Sequence, residues 1–162
     1  MAVFVANAAR RNRPAMAGAV AQGAARHIPV TLTMTAAWAT NDQLKFCKQP
    51  PQHVPLDLVI DWPDMDSGAN LVYDVGLYED DSATDATVGT VVDTDCFIAA
   101  STAESATSKR ERIGTALQVA IAAAKAAVDT TRIVVATATT GGAGTPTAIT
   151  GYYVCRPKSY DG

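Results

Sequence analysis

Sixteen carboxylates, three thiols and two imidazoles are the side chains that could do chemistry in this 162-residue sequence. Twelve of the acids lie between Asp57 and Glu104 with no Lys or Arg among them. Such a run suggests cation binding or general acid and base work, and each needs a particular spacing. The stretch Asp64-Met-Asp66-Ser-Gly68-Ala-Asn70 starts like a calcium loop. An EF-hand, however, needs an oxygen ligand at its fifth position, glycine at its sixth and Glu at its twelfth, and here those are Gly68, Ala69 and Val75. The segment reads as a turn. The acidic loop Glu79 to Asp85 reads as a hydrated loop tip. Cys47, Cys96 and Cys155 stand about fifty residues apart, which gives no C-x-x-C pair and an odd number for a disulfide framework. Buried free thiols in a chain made in a reducing cytoplasm are expected. His27 and His53 have no second His or Cys at ligand spacing, and no metal or cofactor is expected. Gly141, Gly142 and Gly144 are followed by no Lys-Ser or Lys-Thr, so they are not a phosphate loop, and no G-x-S-x-G elbow exists. Many carboxylates are available, but abundance is not placement. An enzyme is not expected.

The elements that would position these groups are strands. Ile28, Val30, Leu32, Met34 and Ala36 alternate with Thr31, Thr33 and Thr35, a period of two rich in β-branched residues. Val54, Leu56, Leu58, Ile60 and Trp62 alternate against Pro55, Asp57 and Asp61, and Leu71, Tyr73, Val75 and Leu77 against Asp74, Gly76 and Tyr78. The turn-forming residues between these two runs predict sheet neighbours joined by a tight loop. Further strands are expected over 44–48, 132–140 and 147–156, the last two as a C-terminal hairpin. Residues 95–100 read as a short strand or one helical turn. Residues 113–128 fit both periods, and a helical or irregular start followed by a strand is expected. The sum is a mainly β domain, an antiparallel β-sandwich or jelly roll.

Residues 1–26 carry Arg10, Arg11, Arg13 and Arg26, no acid, and no sustained period. They read as an extended N-terminal arm ahead of a sandwich domain over 27–162. Charge is thus segregated along the chain: a basic start, an acidic middle, and from Ser105 onward seven Lys or Arg against three acids. Basic arms docking on acidic faces of neighbouring subunits would use that pattern, and solvated loops would also produce it. The apolar run ahead of the arginines is the reverse of a secretory signal, although an acid-free, Arg-bearing start has something of a transit peptide. A net charge of −3 disfavours bulk nucleic-acid binding. No stretch reaches the ~18 apolar residues of a membrane span; the nearest, 113–128, holds Gln118 and Lys125.

Trp38, Trp62, Tyr73, Tyr78, Tyr152, Tyr153 and Tyr160 raise the prospect of a sugar-stacking platform, but most stand where strand packing explains them. Tyr152 and Tyr153 must point to opposite faces of their strand, and they are the candidates for an oligomer or partner face.

The blocks Val54-Pro-Leu-Asp-Leu-Val-Ile-Asp61, Asp64-Met-Asp-Ser-Gly68, Leu71-Val-Tyr-Asp-Val-Gly-Leu77, Asp95-Cys-Phe-Ile-Ala-Ala-Ser101 and Asp129-Thr-Thr-Arg-Ile-Val-Val135 follow one another in an order and spacing that resembles the head decoration, or capsid cement, proteins of tailed bacteriophages. The resemblance runs over residues 28–156. The arginine-bearing start and the Ala-rich stretch near 116–127 depart from it. It implies a non-enzymatic virion protein made in the host cytoplasm and seated on the capsid surface. Its partners would be the major capsid protein and itself, as a homotrimer; the charge pattern, apart from the resemblance, makes Arg10, Arg11, Arg13 and Arg26 the expected capsid contacts. The alternatives are a carbohydrate-binding or adhesin-like sandwich, or another virion part such as a head-completion, tail or fibre-anchoring protein.

Overall fold

The structure, a computed structural model, describes residues 1–6, 25–65, 70–81, 83–102, 109–112, 129–144 and 148–158. Nine strands run through these residues: β1 (Val3–Val5), β2 (Arg26–Thr33), β3 (Gln43–Gln49), β4 (His53–Trp62), β5 (Val72–Glu79), β6 (Val91–Thr102), β7 (Lys109–Arg112), β8 (Arg132–Thr140) and β9 (Ala148–Pro157). They form two sheets, β1-β3-β8-β5-β6 and β2-β9-β4-β7. Apart from β1, the chain passes from one sheet to the other at every step except β5 to β6, which is the winding of a jelly roll. Every pairing is antiparallel except that of β1 with β3.

The alternating residues of the sequence face inward as expected. Ile28, Val30, Leu32 and Met34 are buried, as are Leu58, Ile60 and Trp62, and Leu71, Tyr73, Val75 and Leu77. Two bulges modify the period of two. In β3 the register shifts between Lys45 and Cys47, so the sequence neighbours Phe46 and Cys47 both enter the core. In β4 the shift lies between Pro55 and Asp57, and the extra residue, Leu56, is only half-buried. Trp62 anchors one end of the core, stacked on Trp38 with ring centroids 5.7 Å apart and against Tyr73 at 4.5 Å. Trp38 Nε1 donates to the Asp42 carbonyl at 2.9 Å, so burying the indole strands no donor.

Two pairings expected from the sequence are not formed. β4 and β5 lie in different sheets, and so do β8 and β9, so neither couple is a hairpin. Both faces of an alternating strand look the same whichever sheet receives it, and a jelly roll sends consecutive strands across the sandwich. Residues 95–100 belong to a twelve-residue strand, β6. β1 and β7 were not expected. Residues 113–128 lie outside the described residues, as do 66–69 of the turn after Asp64.

β6 is an edge strand that shifts register three times against β5 and places Ala100 at φ 47°, its amide donating to Asp74 Oδ1 at 2.6 Å. Asp93 and Asp95 stand together on it. A hydrogen bond with Asp93, then partial desolvation and the Asp93 charge, push the Asp95 carboxyl above its ordinary range. An acid that ionises less readily folded than unfolded costs stability as pH rises from the unfolded value, about 4, through the raised folded one. Asp95→Asn is therefore expected to raise the melting temperature at pH 7 and to lose that advantage below about pH 4. Melting curves across that range check it; an equal or lower melting temperature at pH 7 contradicts it.

Candidate functional site

The two sheets differ in what lies on their outer faces. On the five-stranded sheet the outer face is buried around β3: Tyr78, Ile133 and Val135 form a second apolar cluster with Val5 and Val88. All seven residues of β3 are buried, Lys45 and Lys48 included. Lys48 Nζ lies 2.8 Å from Asp80, and Arg132, 2% exposed, pairs with Glu79 at 3.2 Å. Burial lowers the Lys45 ammonium from its usual value, and the charges of Asp85 and Asp80 counter part of that shift. The acidic loop beyond β5 thus serves as counter-charge to lysines of this sheet. Its remaining carboxylates are held locally, Asp81 accepting from both the amide and the hydroxyl of Thr90. Glu79, Asp80 and Asp81 line a shallow depression with Thr130 and Thr131. Among the described residues no three His, Cys, Asp or Glu side chains come together as a metal site.

On the four-stranded sheet the outer face is mixed: Val59 and Val154, 3% and 6% exposed, are covered, while the arginines of β7 stand in solvent. One row across it runs Pro29, Tyr152, Val59, Arg112, and the next runs Thr31, Thr150, Asp61, Arg110. Arg110 and Arg112, both about 70% exposed, fold back as bidentate partners: Arg110 Nε and Nη2 reach Asp61 at 2.6 and 2.9 Å, and Arg112 Nε and Nη2 reach Asp57 at 2.9 and 2.7 Å. The hydrogen bond from Arg110 holds the Asp61 carboxyl below its ordinary value. Asp57, Asp61 and Asp74 are on wet faces, as their alternation requires, and each has a partner.

The tyrosine pair is divided between the two faces of β9. Tyr153 is fully buried, its ring edge-on to Phe97 and its hydroxyl donating to Gln49 Oε1 at 2.6 Å. It therefore leaves the set of partner-face candidates, because an inward side chain in the middle of a sandwich meets only its own core. Tyr152 lies half-buried on the outer face, 5.7 Å from the His27 ring. Trp38, Trp62, Tyr73 and Tyr78 are likewise buried and form no platform.

The basic candidates separate as well. Arg10, Arg11 and Arg13 lie outside the described residues. Arg26 is the first residue of β2, paired with Cys155. At the other end of the expected arm, Val3, Phe4 and Val5 pair with Gln43, Leu44 and Lys45, and Ala6 is fully buried. Both ends of the 1–26 segment are thus built into the body.

Cys47, Cys96 and Cys155 are buried free thiols, as expected, and burial pushes those of Cys96 and Cys155 up to about 12. His53 Nδ1 sits 2.8 Å from the Pro51 carbonyl.

One functional carboxylate escaped sequence reasoning. Glu111, on the short edge strand β7, turns inward and accepts from Trp62 Nε1 at 3.2 Å, from the Tyr73 hydroxyl and from the Ser101 hydroxyl, with Lys109 Nζ 3.7 Å away. Trp62 and Glu111 belong to one sheet, Tyr73 and Ser101 to the other, so this carboxylate ties the sandwich shut along that edge. Burial first, and then the bond to Glu111, push the Tyr73 phenol far above its normal range. The only sequence signal was an acid within Lys109-Arg110-Glu111-Arg112.

Neither a family model nor a curated protein matches the chain by sequence. Solved structures do match it in fold. A chain from the capsid of Ralstonia phage GP4 is similar over 95% of this chain and 97% of its own length, with a TM-score of 0.71 at 20% identity. A chain from the cyanophage Pam1 capsid asymmetric unit is similar over 90% of this chain and 93% of its own, with a TM-score of 0.53 at 18% identity. At such identities the likeness establishes the architecture: this mainly β, two-sheet fold is one that chains of phage capsids also have.

Proposed function

We propose that the chain is a virion structural protein that seats on the outside of a bacteriophage head and fastens neighbouring major capsid subunits together, stabilising the shell. The observation that carries the reading is the end-to-end likeness to chains taken from two phage capsids, in which almost the whole of each chain is matched. Fastening requires no catalytic residue. It requires a rigid body and segments that reach across neighbours, and many modest contacts then sum over a lattice. The body is a homotrimer in this reading, and Arg10, Arg11 and Arg13 make charge-assisted contacts with acidic patches on adjacent subunits. Arg26, which follows them in sequence, is the first residue of β2.

The test is occupancy on capsids that lack the protein. Because residues 1–6 and Arg26 belong to the sheets, deleting the whole segment would remove β1, and the informative variant is Arg10→Ala with Arg11→Ala and Arg13→Ala. It is expected to melt like the parent and to lose at least tenfold in co-sedimentation with capsids, more strongly at low salt. Undiminished occupancy overturns the role of the three arginines. Absence of the parent chain from capsids, with retention on a glycan column, overturns the fastening role in favour of a carbohydrate-binding module.

A further inference from the structure

We infer that the slot beside β3 is filled, in the assembled protein, by residues 1–6 of a second copy of this chain. The inference stands apart from capsid binding. It starts from the slot itself. The Gln43 amide donates to the Ala2 carbonyl and the Ala6 amide to the Lys45 carbonyl, each at 2.9 Å. The Asp42 carboxylate, 8% exposed, accepts from the amides of Ala2 and Ala39. Phe4 packs on the main core and Val5 on the outer cluster. An empty slot would leave the β3 edge and a buried carboxylate without these donors, so an occupant is required.

Nothing in those contacts requires the occupant to be the same chain. β1 is held by three paired residues in the one parallel ladder among the described residues, and the chain back to β2 has far more residues than the distance needs. The start of β2 lies at the far end of β3, because Ile28 pairs with Tyr153 and the Tyr153 hydroxyl reaches Gln49. From Lys45 to Gln49 is about 13 Å along the strand, and the sandwich is about 10 Å thick. Six residues would close that path. Residues 6–25 number twenty and span up to ~66 Å when extended. A connection of that length is long enough to reach a neighbouring body, and exchange conserves every contact of the slot while tying copies together.

Val3 and Gln43 are ladder partners, and a disulfide between them reports which chain holds the slot. Purified Val3→Cys/Gln43→Cys protein, oxidised without capsids and run on a denaturing, non-reducing gel, is expected to give covalently linked multimers. Monomer with an internal disulfide overturns the inference. A mixture of the two single variants, Val3→Cys and Gln43→Cys, covers the case in which the double variant does not fold: one-to-one covalent dimers support exchange, and their absence at millimolar protein overturns it. Since no capsid is present, failure here is read separately from failure to occupy the head.

Discussion

Gly151→Ala is expected to lower the melting temperature by roughly 10 °C, the effect of losing about 3–4 kcal/mol. Gly151 lies in β9, between Val30 of β2 and Ile60 of β4. A Cβ there would stand 2.2 Å from the Val59 carbonyl oxygen and 3.1 Å from the Ile60 Cα. Both are backbone atoms in the middle of a ladder, so no rotamer change relieves the overlap and two central strands must separate. This puts the cost at the upper end of that for overpacked cores. Thr150→Ala, on the exposed side of the same strand, is the control and should change stability by no more than ~0.5 kcal/mol. Calorimetry of the three proteins decides the matter; a Gly151→Ala melting temperature within 2 °C of the parent would mean that β9 and β4 are not held so close.

Glu111→Ala should cost about 3–5 kcal/mol. The carboxylate is the acceptor for Trp62 Nε1 and the Tyr73 hydroxyl, side chains of residues 1% and 0% exposed, and its removal leaves both donors unmet between the sheets. Glu111→Gln keeps an acceptor oxygen and should lose less than half as much. The same contact sets a limit at alkaline pH. The folded Tyr73 phenol keeps its proton where an unfolded tyrosine releases it, so stability falls as pH rises above the unfolded value of about 10. Tyr73→Phe should flatten that alkaline limb while lowering stability at pH 7. Denaturant titrations at pH 7 and pH 10.5 measure both effects. An alanine variant within 1 kcal/mol of the parent would refute the clamp.

The residues that were legible in the sequence are those whose signal is local. The strict alternation in Ile28 to Met34 needs only the two-residue period of a strand, and it correctly separates dry from wet side chains. Division of Tyr152 from Tyr153 follows from the same rule. Pairing is different. β2 finds its neighbour 120 residues later, in β9, and nothing within a ten-residue window specifies that. The hairpins drawn from turn chemistry at 63–70 and 141–146 failed because glycine and proline mark where a chain bends and say nothing of which sheet it enters next. β7 was missed for a further reason: Lys109-Arg110-Glu111-Arg112 has no apolar residue, and its place in the sheet rests on Asp57, Asp61 and the buried donors that meet Glu111. Those partners are brought together only by the finished topology.

The strand order also governs when this protein can form. The four-stranded sheet has β9 between β2 and β4, so residues 26–33 and 53–62 lack their common neighbour until Pro157 has been made. The search for such remote partners belongs to the slow, millisecond-to-second regime of β topologies. Newly made copies spend that interval with strand edges open, and the supply of finished protein depends on how quickly each one closes them.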